Sequence, residues 1–136
     1  MTGADALAVC HFLRAHAPFD ALPEATLARV AQAAQLETLS GGTTIFAQGD
    51  GPLQHLRIIR EGAVEVVSEG RVLDLLGPGE PFGHASMLSG FPPGFEARAA
   101  EDTVCYRIAA AAAEDLLAGP GGARFVARVT MCASGC

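Results

Sequence analysis

Eleven glycines fall between Gly41 and Gly94, and they cut that stretch into pieces too short for an ordinary helix. The pieces are rich in β-branched and other apolar residues, so the middle of the chain reads as a series of brief strands joined by tight turns. Four strands are expected first, at Thr43 to Ala47, His55 to Arg60, Ala63 to Ser68 and Arg71 to Leu76, with turns at QGDGP, EG, EG and GPGE. In the third, Val64 and Val66 flank Glu65, the alternation of a strand with one wet face. A short helical turn over Gly83 to Leu88 interrupts the series. The GFPPG loop follows, and two more strands come near Phe95 to Ala99 and Thr103 to Ile108.

Helices are expected on both sides of this stretch. From Ala4 to Ala15, Leu7, Cys10 and Leu13 recur at helical spacing with Val9 and Phe12 beside them, and Pro18 ends the run. Pro23 suits the first position of a second helix, on which Leu27, Val30, Ala31 and Ala34 make one apolar stripe, and the helical pattern runs to Leu36. After the strands, Ala109 to Leu117 is an alanine-rich helix ending at GPGG. A last helix from about Ala123 to Cys132 places Phe125, Val129 and Cys132 on one side. Many short antiparallel strands between terminal helices imply a barrel or double-sheet roll, because closure removes exposed strand edges.

A chain of 136 residues suits one domain, with a single core that needs neither disulfides nor metals. The formal charge is −6 and all nine basic residues are scattered arginines, so no basic stripe is present to hold a nucleic acid. No apolar run approaches membrane-spanning length and no basic-then-apolar leader opens the chain, so a cytoplasmic protein without a membrane partner is expected. Cys10, Cys105, Cys132 and Cys136 read as free thiols, mostly buried. Cys132 and Cys136 stand one helical turn apart but lack two further ligands nearby, so no metal or other cofactor is expected. The four histidines, His11, His16, His55 and His84, are scattered without an H-x-H pair. That argues against a metal-dependent oxygenase on a similar roll, and no nucleophile–base pair or Walker-type loop points to another enzyme.

The segment PFDALPEATLARVAQAAQLETLSGGTTIFAQGDGPLQHLRIIREGAVEVV resembles the first half of the cyclic-nucleotide-binding domain. Within it, IFAQGD is similar to that family's strand and turn, and LRIIREGAVEV to its central glycine-marked hairpin. LGPGEPFGHASMLSG is similar to its phosphate-binding cassette. The resemblance implies a mainly β fold, a jelly-roll barrel with flanking α-helices. One domain would fill residues 1–136: helices over 1–36, a β-roll over 37–108 with the cassette at 79–90, and closing helices over 109–136, as a fragment of a longer protein.

The same resemblance implies where a ligand would sit. Aligned by FG and by RAAED, the family's glutamate, which takes the ribose hydroxyl, falls on His84, and its arginine, which pairs with the cyclic phosphate, falls on Pro93. A guanidinium meets a phosphate through charge-assisted bonds of roughly 1.5–3 kcal/mol each, so its loss removes orders of magnitude in affinity. Arg98 is not a substitute if Phe95 and Ala97 point into the barrel, because two-residue alternation then sends it outward. Phe95 would fill part of the pocket. What remains for an anion is the backbone N–H groups of Gly83, Ala85 and Ser86, the Ser86 hydroxyl, and His84. His84 reads either as a donor or pH-sensitive cation, or as a residue that caps the turn or lies at the surface.

HLRIIREGAVEV, a cassette without glutamate, and EDTVCYRI together resemble one branch of the family. There the domain stands at the N-terminus of bacterial signalling proteins that continue into paired CBS domains and a nucleotidyltransferase domain. The implied role is a noncatalytic sensor that binds a non-standard nucleotide or small anion, or that works by packing without a ligand. The alternative is the effector domain of a transcription regulator responding to cyclic AMP or cyclic GMP. The apolar side formed by Phe125, Val129 and Cys132 either covers the domain's own barrel or pairs two copies into a homodimer.

Overall fold

The computed structural model describes residues 5–16 and 19–113. Helix α1 (Ala6–Arg14) starts at Asp5, whose carboxylate accepts from the Leu7 N–H, and buries Val9 and Leu13. A 3₁₀ turn (Phe19–Ala21) buries Phe19 and leads to α2 (Glu24–Ala33). Pro23 stands one residue earlier than expected, at the N-cap of α2. The stripe of Leu27, Val30, Ala31 and Ala34 is buried as its spacing requires.

The helix does not reach Leu36. Ala34 is already extended, and Gln35–Leu39 forms strand β1. In a continued helix Leu36 would stand on the side opposite the stripe of Leu27, Val30, Ala31 and Ala34; from a strand it packs against the same apolar layer as they do. Of the remaining elements, all but the two-residue β6 follow the sequence closely: β2 (Thr44–Phe46), β3 (His55–Glu61), β4 (Val64–Ser68), β5 (Arg71–Leu76), β6 (Pro81–Phe82), α3 (His84–Ser89), β7 (Glu96–Ala99) and β8 (Thr103–Ala109). Helical backbone resumes at residues 110–113. The rest of the expected Ala109–Leu117 helix, the Ala123–Cys132 helix and its apolar side lie outside the described residues.

The strands form two four-stranded antiparallel sheets, ordered β1-β8-β3-β6 and β2-β7-β4-β5. Their inner faces meet through Phe46, Ile59, Val64, Phe82, Ala97 and Cys105. The outer face of the first sheet carries Leu56, Ile58, Tyr106 and Ile108 against α1 and α2. Each fully buried aliphatic side chain in these two layers contributes about 1.5–3 kcal/mol of hydrophobic stabilisation. The layers thus sandwich the first sheet and fix which side of each strand faces the roll interior.

Two glycines allow close approaches that set the site. Gly62, at φ 96°, turns the β3–β4 hairpin so near the β7–β8 loop that an added Cβ would lie 2.6 Å from the Asp102 carbonyl oxygen. At Gly79, with φ 88°, an added Cβ would lie 2.3 Å from Cδ2 of His16. That ring stacks on Phe12 with centroids 4.2 Å apart and holds Nδ1 2.8 Å from the Phe12 carbonyl, so the end of α1 sits directly on the turn leading into β6 and α3.

Candidate functional site

The turn from Gly77 to Glu80 is closed by its own groups. The Glu80 carboxylate accepts from the Gly77 N–H at 2.6 Å, while Gly79 N–H and Ile59 N–H bond to the carbonyls of Ile59 and Glu80. Strand β6 then runs beside β3, with Phe82 opposite Arg57 and its side chain in the inner core. Gly83 caps α3 at φ 85°, where an added Cβ would lie 3.3 Å from both the His55 carbonyl oxygen and a Leu53 methyl. Gly90 ends the helix, again with positive φ.

His84, the first residue of α3, is 9% exposed, and neither ring nitrogen has a hydrogen-bond partner among the described residues. Burial pulls its pKa down to about 4, so the ring is neutral at physiological pH. It therefore carries no charge to an anion, and it neither caps the turn nor lies at the surface. A neutral imidazole offers one N–H and one acceptor nitrogen, and each costs about 1–3 kcal/mol when buried unpaired.

Ser86 is committed elsewhere. Its hydroxyl accepts from the Leu53 N–H at 3.0 Å and donates to the Phe91 carbonyl at 2.6 Å, tying α3 to the approach of β3 and to the following loop. With its single proton used, the hydroxyl has nothing to donate to an anion. The first-turn N–H groups of Gly83, Ala85 and Ser86 belong to the helix start, where no intrahelical acceptor exists.

Pro93 is buried in the loop after α3, its carbonyl accepting from the Gly49 N–H at 3.1 Å. In β7, Ala97 and Ala99 are buried inward, while Arg98 turns outward and pairs with Glu65 at 3.2 Å and Glu96 at 3.8 Å. Phe95 packs on the inner core with its ring 5.5 Å from Phe46, which in turn lies 6.2 Å from Phe82. The three rings thus form one chain of aromatic contacts in the inner core.

Of the thiols, Cys10 is half-buried near the Leu27 carbonyl, and burial pushes Cys105 up to about 12; Cys132 and Cys136 lie outside the described residues. Among the described residues, no group of three His, Cys, Asp or Glu side chains stands ready for a metal, and no helix is long and apolar enough to cross a membrane.

One set of polar residues escaped the sequence reading: Gln35 and Glu37 on β1, His55 and Arg57 on β3, and Arg107 on β8. They alternate with Leu36, Leu56, Ile58, Tyr106 and Ile108, so they face the roll interior. The strand alternation of HLRI held that signal, but without β1 nothing showed that the face opposite Leu56 and Ile58 was enclosed.

Residues 36–119 match the family model of the cyclic nucleotide-binding domain. Two uncharacterized proteins of Mycobacterium tuberculosis, from the CDC 1551 and H37Rv strains, are each 32% identical over 119 residues, 88% of this chain; the chain spans 23% of their length. Among solved structures, a candidate cyclic nucleotide-binding protein from Geobacter metallireducens superposes with a TM-score of 0.76 at 22% identity, covering 88% of this chain and 93% of that one. The regulatory subunit of a cAMP-independent protein kinase A from Trypanosoma brucei gives 0.70 at 20% identity, covering 77% of this chain and 40% of that one. The likeness to these structures is one of fold: two facing antiparallel sheets with flanking helices, the jelly roll that they share.

Proposed function

The chain belongs to the cyclic nucleotide-binding domain family, and within it we propose a noncatalytic regulatory module whose effector is not a cyclic phosphodiester held in the usual way. The observation that carries this reading is the direction of Arg98, which pairs with Glu65 on the outer side of its sheet while Pro93 occupies the loop before it. No guanidinium of the 79–90 cassette exists to meet a phosphate, and neutral His84 supplies hydrogen bonds without charge. The effector is then a non-standard nucleotide or another small anion. Its contacts at the cassette are the backbone N–H groups of Gly83, Ala85 and Ser86 and the unpartnered ring of His84.

Regulation without cyclic AMP has a precedent in this fold, in the trypanosome kinase subunit. The small share of the mycobacterial relatives that this chain spans supports a place within a longer signalling protein, for which CBS and nucleotidyltransferase domains are the proposed neighbours and the bacterial cytoplasm the proposed setting. Differential scanning fluorimetry with cyclic AMP, cyclic GMP and 5′-nucleotides tests the reading. The expected result is no rise in Tm with either cyclic nucleotide at about a millimolar, and a rise of several degrees with cyclic AMP overturns it.

A further inference from the structure

Across the inner face of the first sheet, Phe82, Arg57, Arg107 and Gln35 stand directly opposite one another in a row, and Ile59, Cys105 and Glu37 form the next row. Arg57 Nε donates to one Glu37 oxygen at 2.8 Å, and an Arg107 terminal nitrogen reaches the other at 3.5 Å. The second terminal nitrogen of Arg107 donates to Gln35 at 3.0 Å. Two guanidiniums therefore share one carboxylate, leaving a net positive charge in a place where the Arg57 and Glu37 side chains are only 13% and 15% exposed.

The donors are not used up. Among the described residues, Arg107 Nε is buried with no acceptor and the terminal nitrogens of Arg57 have no hydrogen-bond partner. His55, on the same face two residues before Arg57, feels the excess: after burial, Arg107 and Arg57 do most to lower its pKa, and Glu37 only partly opposes them. A cation in excess of its counter-charge is costly where it is partly buried, as is a buried N–H without an acceptor, and a ligand oxyanion would relieve both. The planar forks of two arginines suit the oxygens of a phosphate.

We propose that Arg57 and Arg107 form an anion subsite on the inner face of the roll, which takes the phosphate group of a small ligand in place of the arginine missing from the cassette. This rests on the reading of the module as a sensor of a non-standard nucleotide or small anion. The subsite is built from β3 and β8, so it leaves Pro93 and Arg98 without a role in binding.

The test is calorimetric titration of the full chain with inorganic phosphate, with 5′-AMP and with adenosine. Binding of phosphate and 5′-AMP but not adenosine, weakened at least tenfold by Arg107→Gln and unchanged by Arg98→Gln, supports a site for the bare oxyanion. Binding of 5′-AMP alone with the same mutational pattern supports a nucleotide phosphomonoester. Glu37→Gln, which frees both guanidiniums, raises affinity several-fold, a gain that a purely structural ion pair would not give. No binding of phosphate or 5′-AMP overturns the subsite, as does binding indifferent to Arg107→Gln or not improved by Glu37→Gln. In those cases continued rejection of cyclic AMP leaves the regulatory reading standing, whereas cyclic AMP binding that survives Arg107→Gln removes both.

Discussion

Replacing Gly79 by alanine probes the seat of the cassette on α1. The left-handed backbone at φ 88° costs an alanine about 1–2 kcal/mol. The new methyl would also lie 2.3 Å from the His16 ring, which must swing away. That breaks its hydrogen bond to the Phe12 carbonyl and its stack on Phe12, each contributing about 0.5–1.5 kcal/mol. The expected loss is about 2–5 kcal/mol, read in urea unfolding as a fall in midpoint of roughly 1–2.5 M at an m-value of about 2 kcal/mol/M. The double variant Gly79→Ala/His16→Ala separates the two causes. Because Gly79→Ala has already spent the His16 contacts, the second change should cost almost nothing there, although His16→Ala alone costs about 1–3 kcal/mol. Additive losses within about 0.5 kcal/mol would refute the contact between α1 and the turn as the source of the effect.

His84→Phe should raise stability by about 2–6 kcal/mol at pH 7, since it removes two buried nitrogens that have no partner among the described residues, and chemical denaturation measures this. Because the folded-state pKa is about 4 against 6.5 in the unfolded chain, His84 costs no protonation energy above pH 6.5. Stability falls by up to about 3 kcal/mol as pH drops from there to 4; His84→Phe should flatten that limb of the pH–stability curve. Ser86→Ala leaves the Leu53 N–H and the Phe91 carbonyl unpaired, so it should cost about 1–3 kcal/mol and speed hydrogen exchange at Leu53. Cys105, with its thiol pushed to about 12, should resist alkylation at pH 8 in the folded protein, as peptide mass mapping would show.

Local rules made most of the roll legible. Glycines at turns and period-two alternation located β2 to β5, α3, β7 and β8 to within a residue or two, because those signals act over a few neighbours. Strand β1 was hidden because no glycine or proline separates Ala34 from Gln35, so the helical run of α2 reads on through Leu36, and only pairing with β8, over sixty residues away, makes it a strand. The outward turn of Arg98 followed from alternation alone. The state of His84 did not, since burial comes from tertiary packing, and Ser86 gave no sign that its hydroxyl would be shared between Leu53 and Phe91. The Glu37–Arg57–Arg107 group depends on three strands distant in sequence, so its charge balance emerges only once the first sheet is assembled.

Calorimetric titration of cyclic AMP into the unmodified chain decides whether this roll has a clasp for a cyclic phosphodiester. No saturable heat is expected up to about 100 μM ligand. A dissociation constant in the low micromolar range would contradict that expectation.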